Sequence, residues 1–260
     1  MRFIRYQTER EPARYGWLLE TPEGSFVGPV EGTPLGGFRR LDAYLPIEAV
    51  TFLAPVLPGK IICVGRNYVA HAREHAAEVP EIPMLFLKPP SAVIGPNEAI
   101  ILPPQSQQIE HEAELVAVIG KRGRWIPPDA ALDHILGYTI GNDITARDLQ
   151  RRDGQWTRGK GFDTFCPIGP WIATEFDPAD AMITCYVNGE MRQMASTRDM
   201  VFSVRQLVAF ASSVMTLEAG DLLFTGTPAG VGPLLAGDRV EVNIEGLGSL
   251  SNPVEAEPAR

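Results

Sequence analysis

Short apolar runs that end at glycine, proline or polar residues recur along the whole chain. Runs of this length predict strands, and several of them alternate apolar with polar positions, as a half-buried strand does. The dipeptide Asn188-Gly189 between two such runs predicts a tight hairpin turn. The strands predicted after the first fifth of the chain are residues 60–64, 84–88, 112–119, 137–145, 181–188, 190–193, 221–225 and 238–244.

Three segments have the composition of helices instead. Residues 67–78 are rich in alanine and polar helix formers, and residues 127–135 carry Asp129 and Asp133 near their start. Residues 203–215 give the clearest helical pattern, with Ser203 in the N-cap position. Because strands far outnumber helices, the sequence predicts a mainly β fold of the α+β class.

The first 56 residues are predicted to form a small N-terminal domain rich in strands. Its predicted strands are residues 2–6 and 15–20, and turn signals lie at residues 22–24 and 31–34. The stretch 52–60 is interrupted by prolines and is interpreted as a connector. We therefore divide the chain into an N-terminal domain of residues 1–56 and a second domain of residues 57–260.

Composition and charge narrow the class of protein. The 260 residues include 25 glycines and 23 prolines, which argues against a helical bundle. The net charge is −9, with 32 acidic against 23 basic residues, so we expect no nucleic-acid partner. Four of the basic residues are lysines, and all four lie in the middle of the chain: Lys60, Lys88, Lys121 and Lys160.

The cysteines and the apolar segments predict the compartment. Cys63, Cys166 and Cys185 are odd in number and widely spaced, which favours a reducing environment over a disulfide framework or a zinc site. The N-terminus has no apolar segment typical of a secretory signal. No run approaches the roughly 18 apolar residues of a membrane span. We therefore expect a cytoplasmic protein with no membrane partner.

The stretch 109–120 carries the strongest chemical signal. Glu110, Glu112 and Glu114 alternate, so in a strand all three carboxylates share one face. They lead into an apolar run, where carboxylates are costly unless they bind a metal ion or pair with a base. Hard oxygen ligands favour Mg²⁺, Mn²⁺ or Ca²⁺ over zinc. The alternative is an exposed strand edge with its acids in water.

Asp143, at the end of another predicted strand, could complete such a site. Spacing alone does not join the two strands, and an isolated Asp in this position is usually a turn former.

Other residues are candidates for catalysis, each with a plainer alternative. His71 and Glu74 are neighbours on a helix and could form a general-base pair, although a surface pair at this spacing is commoner. Lys160 lies between two glycines, where it could stabilise negative charge or simply be solvated. We expect His75 and His111 to be exposed and without a partner.

Two further segments are predicted to take part in ligand binding. The glycine-rich stretch 226–232 follows a strand but lacks the GKS or GKT ending of a phosphate-binding loop. We interpret it as a tight turn that presents Thr227 and neighbouring amides to a ligand. Residues 70–83 have few large apolar side chains to anchor them and are predicted to form a lid.

Together these stretches resemble the fumarylacetoacetate hydrolase family. The matching motifs occur in the order of the family over residues 60 to about 250, and nine in that order are unlikely to match by chance. They are VGRNY (64–68), HARE (71–74), LFLKP (85–89), HEAEL (111–115), GNDITARDLQ (141–150), KGF (160–162), CPIG (166–169), VNG (187–189) and LFTGTPAGV (223–231).

The resemblance implies a fold and a set of site residues. The fold is a mixed β-sandwich roll, usually dimeric, and the small N-terminal unit is similar to that of bacterial isomerases and decarboxylases of the family. Glu110 is left as an extra acid that supports the site or is solvated. The implied residues are Glu112, Glu114 and Asp143 as ligands of Mg²⁺ or Mn²⁺; His71, Glu74 and Lys160 in catalysis; and Arg66, Arg147 and Thr227 in substrate binding.

The resemblance also implies a reaction. We expect a metal-dependent hydrolase that cleaves a C–C bond of 2,4-dioxo acids, the acylpyruvates, through a pyruvate enolate. The same site could serve oxaloacetate decarboxylation or the isomerisation of 2-hydroxyhepta-2,4-diene-1,7-dioate or 5-carboxymethyl-2-hydroxymuconate. A catalytically idle member that only binds a ligand is the alternative outside enzymology.

Overall fold

The computed structural model describes residues 1–74 and 76–258, and strands make up most of its regular structure. The mainly β class predicted from the sequence is confirmed. In the first part of the chain the strands are β1 (Arg2–Gln7), β2 (Arg14–Thr21), β3 (Gly24–Gly32), β4 (Phe38–Arg40), β5 (Leu45–Pro46) and β6 (Thr51–Leu53). The strands that follow are β7 (Ile61–Gly65), β8 (Met84–Lys88), β9 (Val93–Ile94), β10 (Ile100–Leu102), β11 (Ile109–His111), β12 (Ala113–Ile119), β13 (Ile135–Asn142), β14 (Thr145–Ala146), β15 (Cys166–Ala173), β16 (Met182–Val187), β17 (Glu190–Ser196), β18 (Leu222–Phe224), β19 (Gly232–Pro233), β20 (Arg239–Ile244) and β21 (Gly248–Ala256).

Helices are short in the described part of the chain. The α-helices are α1 (Val69–Glu74), α2 (Arg147–Asp153), α3 (Thr157–Lys160) and α4 (Val204–Val214), and 3-10 turns cover Ile47–Ala49, Pro90–Ala92, Pro128–His134 and Thr197–Asp199. Among the described residues, no helix has the length and apolar character needed to cross a membrane.

The strands form one large mixed sheet and two smaller sheets. The main path of the large sheet runs β4-β3-β2-β1-β15-β13-β12-β18-β7-β8. A five-stranded sheet has the order β10-β21-β20-β16-β17, and a three-stranded sheet has the order β14-β11-β19. Strand β1 pairs with β15, with Arg2 opposite Ala173, so the large sheet continues across the proposed domain boundary. The division at residue 56 remains a proposal.

Strand β12 lies at the centre of the core and is buried on both faces. Leu115, Ala117 and Ile119 pack in a cluster with residues of α4 and the five-stranded sheet. Val116 and Val118 point the other way, into a cluster that contains Phe3 of the N-terminal region. Burial on both faces explains why this segment is a continuous apolar run rather than an alternating one.

Several local predictions are confirmed. Helix α4 begins after Ser203, whose main-chain N–H donates to Gln206 Oε1 at 2.8 Å. The hairpin between β16 and β17 turns at Asn188 and Gly189, which have φ values of 53° and 81°. Positive φ at both positions gives the turn the twist that a two-residue hairpin requires.

Several boundaries differ from the sequence prediction, and the helix predicted over residues 67–78 is α1 over Val69–Glu74. The helix predicted over residues 127–135 is a 3-10 helix over Pro128–His134, and strand β13 begins directly after it at Ile135. The predicted strand 137–145 is divided between β13 and β14, which belong to different sheets. The chain is likewise interrupted at Glu112, between β11 and β12, so the three alternating glutamates do not lie on one continuous strand.

Candidate active site

Three carboxylates at the adjacent ends of strands β12 and β13 meet at one end of the large sheet. Strands β12 and β13 pair with Ala113 opposite Asn142, and the Asp143 N–H donates to Glu112 O at 2.9 Å. This register places Asp143 beside Glu112 and Glu114. One carboxylate oxygen of each residue lies within 4.8 Å of the other two, and all three side chains are buried. The group has the oxygen donors and the spacing to hold a metal ion.

Two buried lysines contact this group of carboxylates. Lys160 Nζ donates to Glu112 Oε2 and to Asp143 Oδ2, each at 2.7 Å. Lys88 Nζ donates to Asp143 Oδ1 at 2.6 Å and to Ile144 O at 3.1 Å. Each ammonium group therefore binds a different oxygen of the Asp143 carboxylate, and together they fix its orientation.

Arg147, the first residue of α2, connects two of the glutamates. Its Nε donates to Glu110 Oε2 at 2.7 Å, and its Nη2 forms an ion pair with Glu112. Its Nη1 donates to Gln150 Oε1 at 2.7 Å. All three guanidinium nitrogens thus have a protein acceptor, and Glu110 is a buried member of an ion pair. The implied contact of Arg147 with a substrate remains a proposal, and it would use the remaining N–H groups.

Their surroundings shift the pKa values of Glu112 and Glu114 in opposite directions. Burial alone would raise the pKa of Glu112, but Lys160 and Arg147 outweigh burial and hold this pKa well below its usual range. For Glu114, burial and the neighbouring charges of Asp143 and Glu112 raise the pKa well above its usual value. Within residues 1–74 and 76–258, no lysine or arginine nitrogen lies within 4.0 Å of the Glu114 carboxylate.

The surroundings of the Glu114 carboxylate indicate whether a metal ion fits this site. Its carboxylate accepts a hydrogen bond from the Gly226 N–H at 2.7 Å, which compensates burial only in part. A divalent cation among Glu112, Glu114 and Asp143 would supply the missing positive charge at a site built from hard oxygen donors. The residues present therefore fit Mg²⁺ or Mn²⁺.

His71 and Glu74 lie on α1 and belong to the same site. His71 Nδ1 is 3.4 Å from Glu74 Oε2. The Glu74 carboxylate also accepts the Gly230 N–H, at 3.1 and 3.2 Å to its two oxygens. The turn after β18 therefore holds the carboxylate that faces the imidazole.

A cavity of about 580 Å³ joins these groups. Arg66, which enters it from the end of β7, has a φ of 58°, an uncommon backbone conformation that is often found at functional positions. Asp143 lies beneath the cavity wall and is 1% exposed. The other eight residues proposed for the site all line the cavity: Arg66, His71, Glu74, Glu112, Glu114, Arg147, Lys160 and Thr227.

The sequence reasoning missed three residues that complete the arrangement. Gln150 lines the cavity beside Arg147, and Lys88 supports Asp143 from below. The position of Lys88 at the end of an apolar strand was a usable signal, since a buried ammonium needs an anionic partner. Gln193, on β17, donates to Thr227 Oγ1 at 2.8 Å. Nothing in its sequence context indicated this contact.

The expectation that His111 is exposed is wrong. Its side chain is 1% exposed, and its Nδ1 lies 3.0 Å from Gln193 Oε1. His111 occupies the face of β11 that packs toward the five-stranded sheet, and this packing could not be read from the local sequence. His75 lies outside the described residues.

Two family models match separate parts of this chain. The family description "Fumarylacetoacetate (FAA) hydrolase C-terminal" matches residues 60–255, and "Rv2993c-like, N-terminal" matches residues 1–55. The crystal structure of 5-carboxymethyl-2-hydroxymuconate delta-isomerase from Mycobacterium smegmatis is similar at 43% identity and a TM-score of 0.92, over 99% of this chain and 100% of that one.

Two other relatives carry different activities in their names. Mitochondrial oxaloacetate tautomerase FAHD2B from Bos taurus is 47% identical over 223 residues, which span 81% of this chain and 71% of the relative. Fumarylpyruvate hydrolase from Pseudomonas aeruginosa, solved with Mn²⁺ and pyruvate, is 41% identical over 80% of this chain and 92% of that one, with a TM-score of 0.74. An isomerase, a tautomerase and a hydrolase are thus all similar to this chain.

Proposed function

The chain belongs to the fumarylacetoacetate hydrolase family, and we propose that it is a divalent-metal-dependent hydrolase that cleaves a C–C bond of 2,4-dioxo acids (acylpyruvates). One observation carries the choice of hydrolysis. The His71–Glu74 pair lines the same cavity as Glu112 and Glu114, so a base that can activate water faces the carboxylates that can hold a metal ion.

The metal ligands in this proposal are Glu112, Glu114 and Asp143, with Mg²⁺ or Mn²⁺ as the ion. When bound, the ion supplies Lewis-acid stabilisation for negative charge that develops on the C2 oxygen of the substrate. Arg147 and Lys160 hold Glu112 in place, and Lys88 holds Asp143. The chain therefore fixes the ligand oxygens before a substrate arrives.

His71 acts as the general base of the reaction. It accepts a proton from water at Nε2 while Glu74 orients the ring through Nδ1. The oxygen of that water attacks C4, the C3–C4 bond breaks, and its electron pair remains on the pyruvate fragment as the enolate. His71 then returns a proton to C3, which yields pyruvate and the second carboxylic acid.

Cationic groups bind the negative charges of the substrate. Lys160 gives two of its three N–H donors to Glu112 and Asp143, and the third is assigned to the oxyanion that forms at C4. Arg66, Arg147 and Thr227 line the cavity and are assigned to the binding of the substrate carboxylate. The net charge of −9 does not oppose an anionic substrate, because these groups and the ion set the local field.

A second candidate reaction uses the same enolate without attack by water. The 47% identity to an oxaloacetate tautomerase and the 0.92 TM-score to an isomerase favour proton transfer on the enol or enolate of a 2-oxo acid. Isomerisation of a dienedioate is such a transfer, and oxaloacetate decarboxylation releases CO2 to leave an enolate that is then protonated at C3. In each of these reactions His71 would move a proton on the substrate rather than on water.

Turnover of three substrates separates these candidates. Wild-type protein with Mn²⁺ is incubated with acetylpyruvate, oxaloacetate and 2-hydroxyhepta-2,4-diene-1,7-dioate, and the products are resolved by chromatography. We expect release of pyruvate and acetate from acetylpyruvate, and a loss of about 100-fold or more in kcat for His71→Ala. A near wild-type rate for His71→Ala would exclude the general-base role. Turnover of oxaloacetate or the dienedioate alone would favour the second candidate, and no turnover would favour an idle binding protein.

Two expectations about the whole protein remain part of this proposal. Family resemblance favours a homodimer, and the free cysteines are compatible with a cytoplasmic location. Sedimentation of the purified chain tests the first of these directly.

A further inference from the structure

Gln193 lies at the centre of a buried polar network that reaches the cavity from the five-stranded sheet. The residue is on β17 and is 1% exposed. Its Nε2 donates to Thr227 Oγ1 and to Pro228 O, each at 2.8 Å. Its Oε1 accepts the Ala113 N–H at 3.0 Å and lies 3.0 Å from His111 Nδ1. All hydrogen-bonding positions of this amide are thus used within the protein.

The surrounding main chain fixes which end of the amide is the donor. Pro228 O can only accept, so the NH₂ group of Gln193 must face it. The Ala113 N–H can only donate, so Oε1 must face that side. The orientation of the amide therefore follows from its neighbours and not from a choice between equivalent atoms.

The same reasoning fixes the hydroxyl of Thr227. Thr227 Oγ1 accepts from Gln193, and its proton goes to Ala113 O at 2.9 Å. The hydroxyl donor is therefore used inside the protein. A carboxylate in the cavity needs donors, so the group that Thr227 can offer it is the main-chain N–H. The position of this segment of main chain then decides how well the carboxylate is bound.

The segment that Gln193 holds also supports other parts of the site. The Gly226 N–H donates to Glu114, and the Gly230 N–H donates to Glu74. Gly230 has a φ of 97°. A Cβ atom at this position would lie 2.1 Å from the carbonyl oxygen of Arg192, which is the residue before Gln193. Strand β17 is thus in direct contact with the turn 226–230 through both Arg192 and Gln193.

We propose that Gln193 is a positioning residue that sets Thr227 and the main chain of residues 226–228 for the carboxylate of the substrate. It acts from a different sheet and does not line the cavity. This inference deepens the proposed function and rests on it for the role of Thr227. It predicts that loss of Gln193 weakens substrate binding more than it slows the chemical step.

The kinetic test compares two substitutions on the same strand. Gln193→Met keeps most of the side-chain volume and removes the amide, whereas Met194→Ala changes an exposed neighbour that is 60% accessible. For the 2-oxo acid that the wild type turns over fastest, we expect Gln193→Met to raise KM about tenfold, the order of one lost hydrogen bond, with kcat within about twofold. Met194→Ala should leave both constants unchanged.

A purely structural role gives a different result. It would reduce the fraction of active molecules, which lowers kcat and leaves KM unchanged; that outcome, or two unchanged constants, overturns the proposal. Combining Gln193→Met with Thr227→Val adds a second check. If Gln193 acts through Thr227, the two effects on KM must be clearly less than multiplicative. Fully multiplicative effects would also overturn it.

A second variant and a second readout do not depend on the reaction. If Gln193→Met fails to fold, Gln193→Glu keeps the size and the acceptor for Ala113 but removes the donor to Thr227 and Pro228, and the same KM increase is expected. Amide hydrogen exchange at Gly226 and Gly230, measured by NMR without ligand, should be about tenfold faster in either variant. Unchanged exchange overturns the positioning role even if the protein is a 2-oxo acid enzyme. A wild type that turns over none of the three substrates, combined with faster exchange in the variant, refutes only the proposed function.

Discussion

Lys88 Nζ lies 2.6 Å from Asp143 Oδ1, and both side chains are inaccessible to solvent. The pair is part of a larger set of buried charges, in which Lys160 also contacts Asp143 and Glu112. A buried ion pair stabilises a fold little by itself, but removal of one partner leaves an uncompensated charge. The folded state therefore depends on the lysines beneath the candidate metal site.

Lys88→Met should lower the free energy of unfolding by about 3 kcal/mol, because it leaves the buried Asp143 with one cation fewer. The exposed Lys121 provides the control, and Lys121→Met should change stability by less than about 0.5 kcal/mol. Urea unfolding in EDTA measures both. Addition of Mn²⁺ should recover part of the loss in Lys88→Met. Equal stability of Lys88→Met and the wild type would contradict this account of the buried charges.

Glu74→Gln should reduce kcat by about tenfold to 100-fold with little change in KM, because His71 loses the carboxylate that orients and stabilises it during proton transfer. Glu78→Gln, at an exposed position a few residues further along, should behave like the wild type. Steady-state kinetics with acetylpyruvate provides the measurement. A wild-type kcat for Glu74→Gln would show that the pair on α1 has no catalytic role.

The three cysteines should be unreactive in the native protein. Burial raises the pKa of Cys166 and of Cys185 to about 12, and burial raises the pKa of Cys63 well above its ordinary value. Because the thiolate is the reactive form, alkylation at pH 8 should be slower than that of a free thiol by several orders of magnitude. Mass spectrometry after iodoacetamide treatment should show no modification until the protein is unfolded. Rapid labelling of one cysteine in the native state would contradict the burial seen here.

The segment 70–83 is predicted to order over a bound ligand. In the described part of this segment, Val79 and Ile82 are exposed, and Ala76 lines the cavity. Hydrogen exchange of this segment should therefore slow when Mn²⁺ and oxalate are added together. Calorimetry on the same sample shows whether oxalate is bound. Bound oxalate with unchanged exchange would rule out a lid in this segment.

The local elements of the fold could be predicted from sequence because their signals are local. Asn188 and Gly189 adopt the positive φ values that their hairpin turn requires, and Ser203 is the N-cap of α4. The apolar run after Glu114 was identified as a core strand for the same reason. The division between β13 and β14 was missed, because it reflects two different sheets rather than a change in sequence character.

The candidate site was predictable only as a set of residue types. Alternation grouped Glu110, Glu112 and Glu114, with Asp143 as a candidate to complete a site, and resemblance to a family then selected Glu112, Glu114 and Asp143 as the ligands. The pairing of β12 with β13 that joins them depends on the tertiary structure, as does the burial of His111. The contacts of Lys88 and Gln193 cross between elements that are distant in sequence, so no local pattern could reveal them.

The most direct test of the central claim is the initial rate of pyruvate release from acetylpyruvate by EDTA-treated protein, measured before and after addition of Mn²⁺. The account predicts essentially no release after EDTA treatment and recovery of the rate when Mn²⁺ is restored. Full activity after complete removal of metal would contradict metal-dependent hydrolysis at Glu112, Glu114 and Asp143, as would the absence of pyruvate release in both samples.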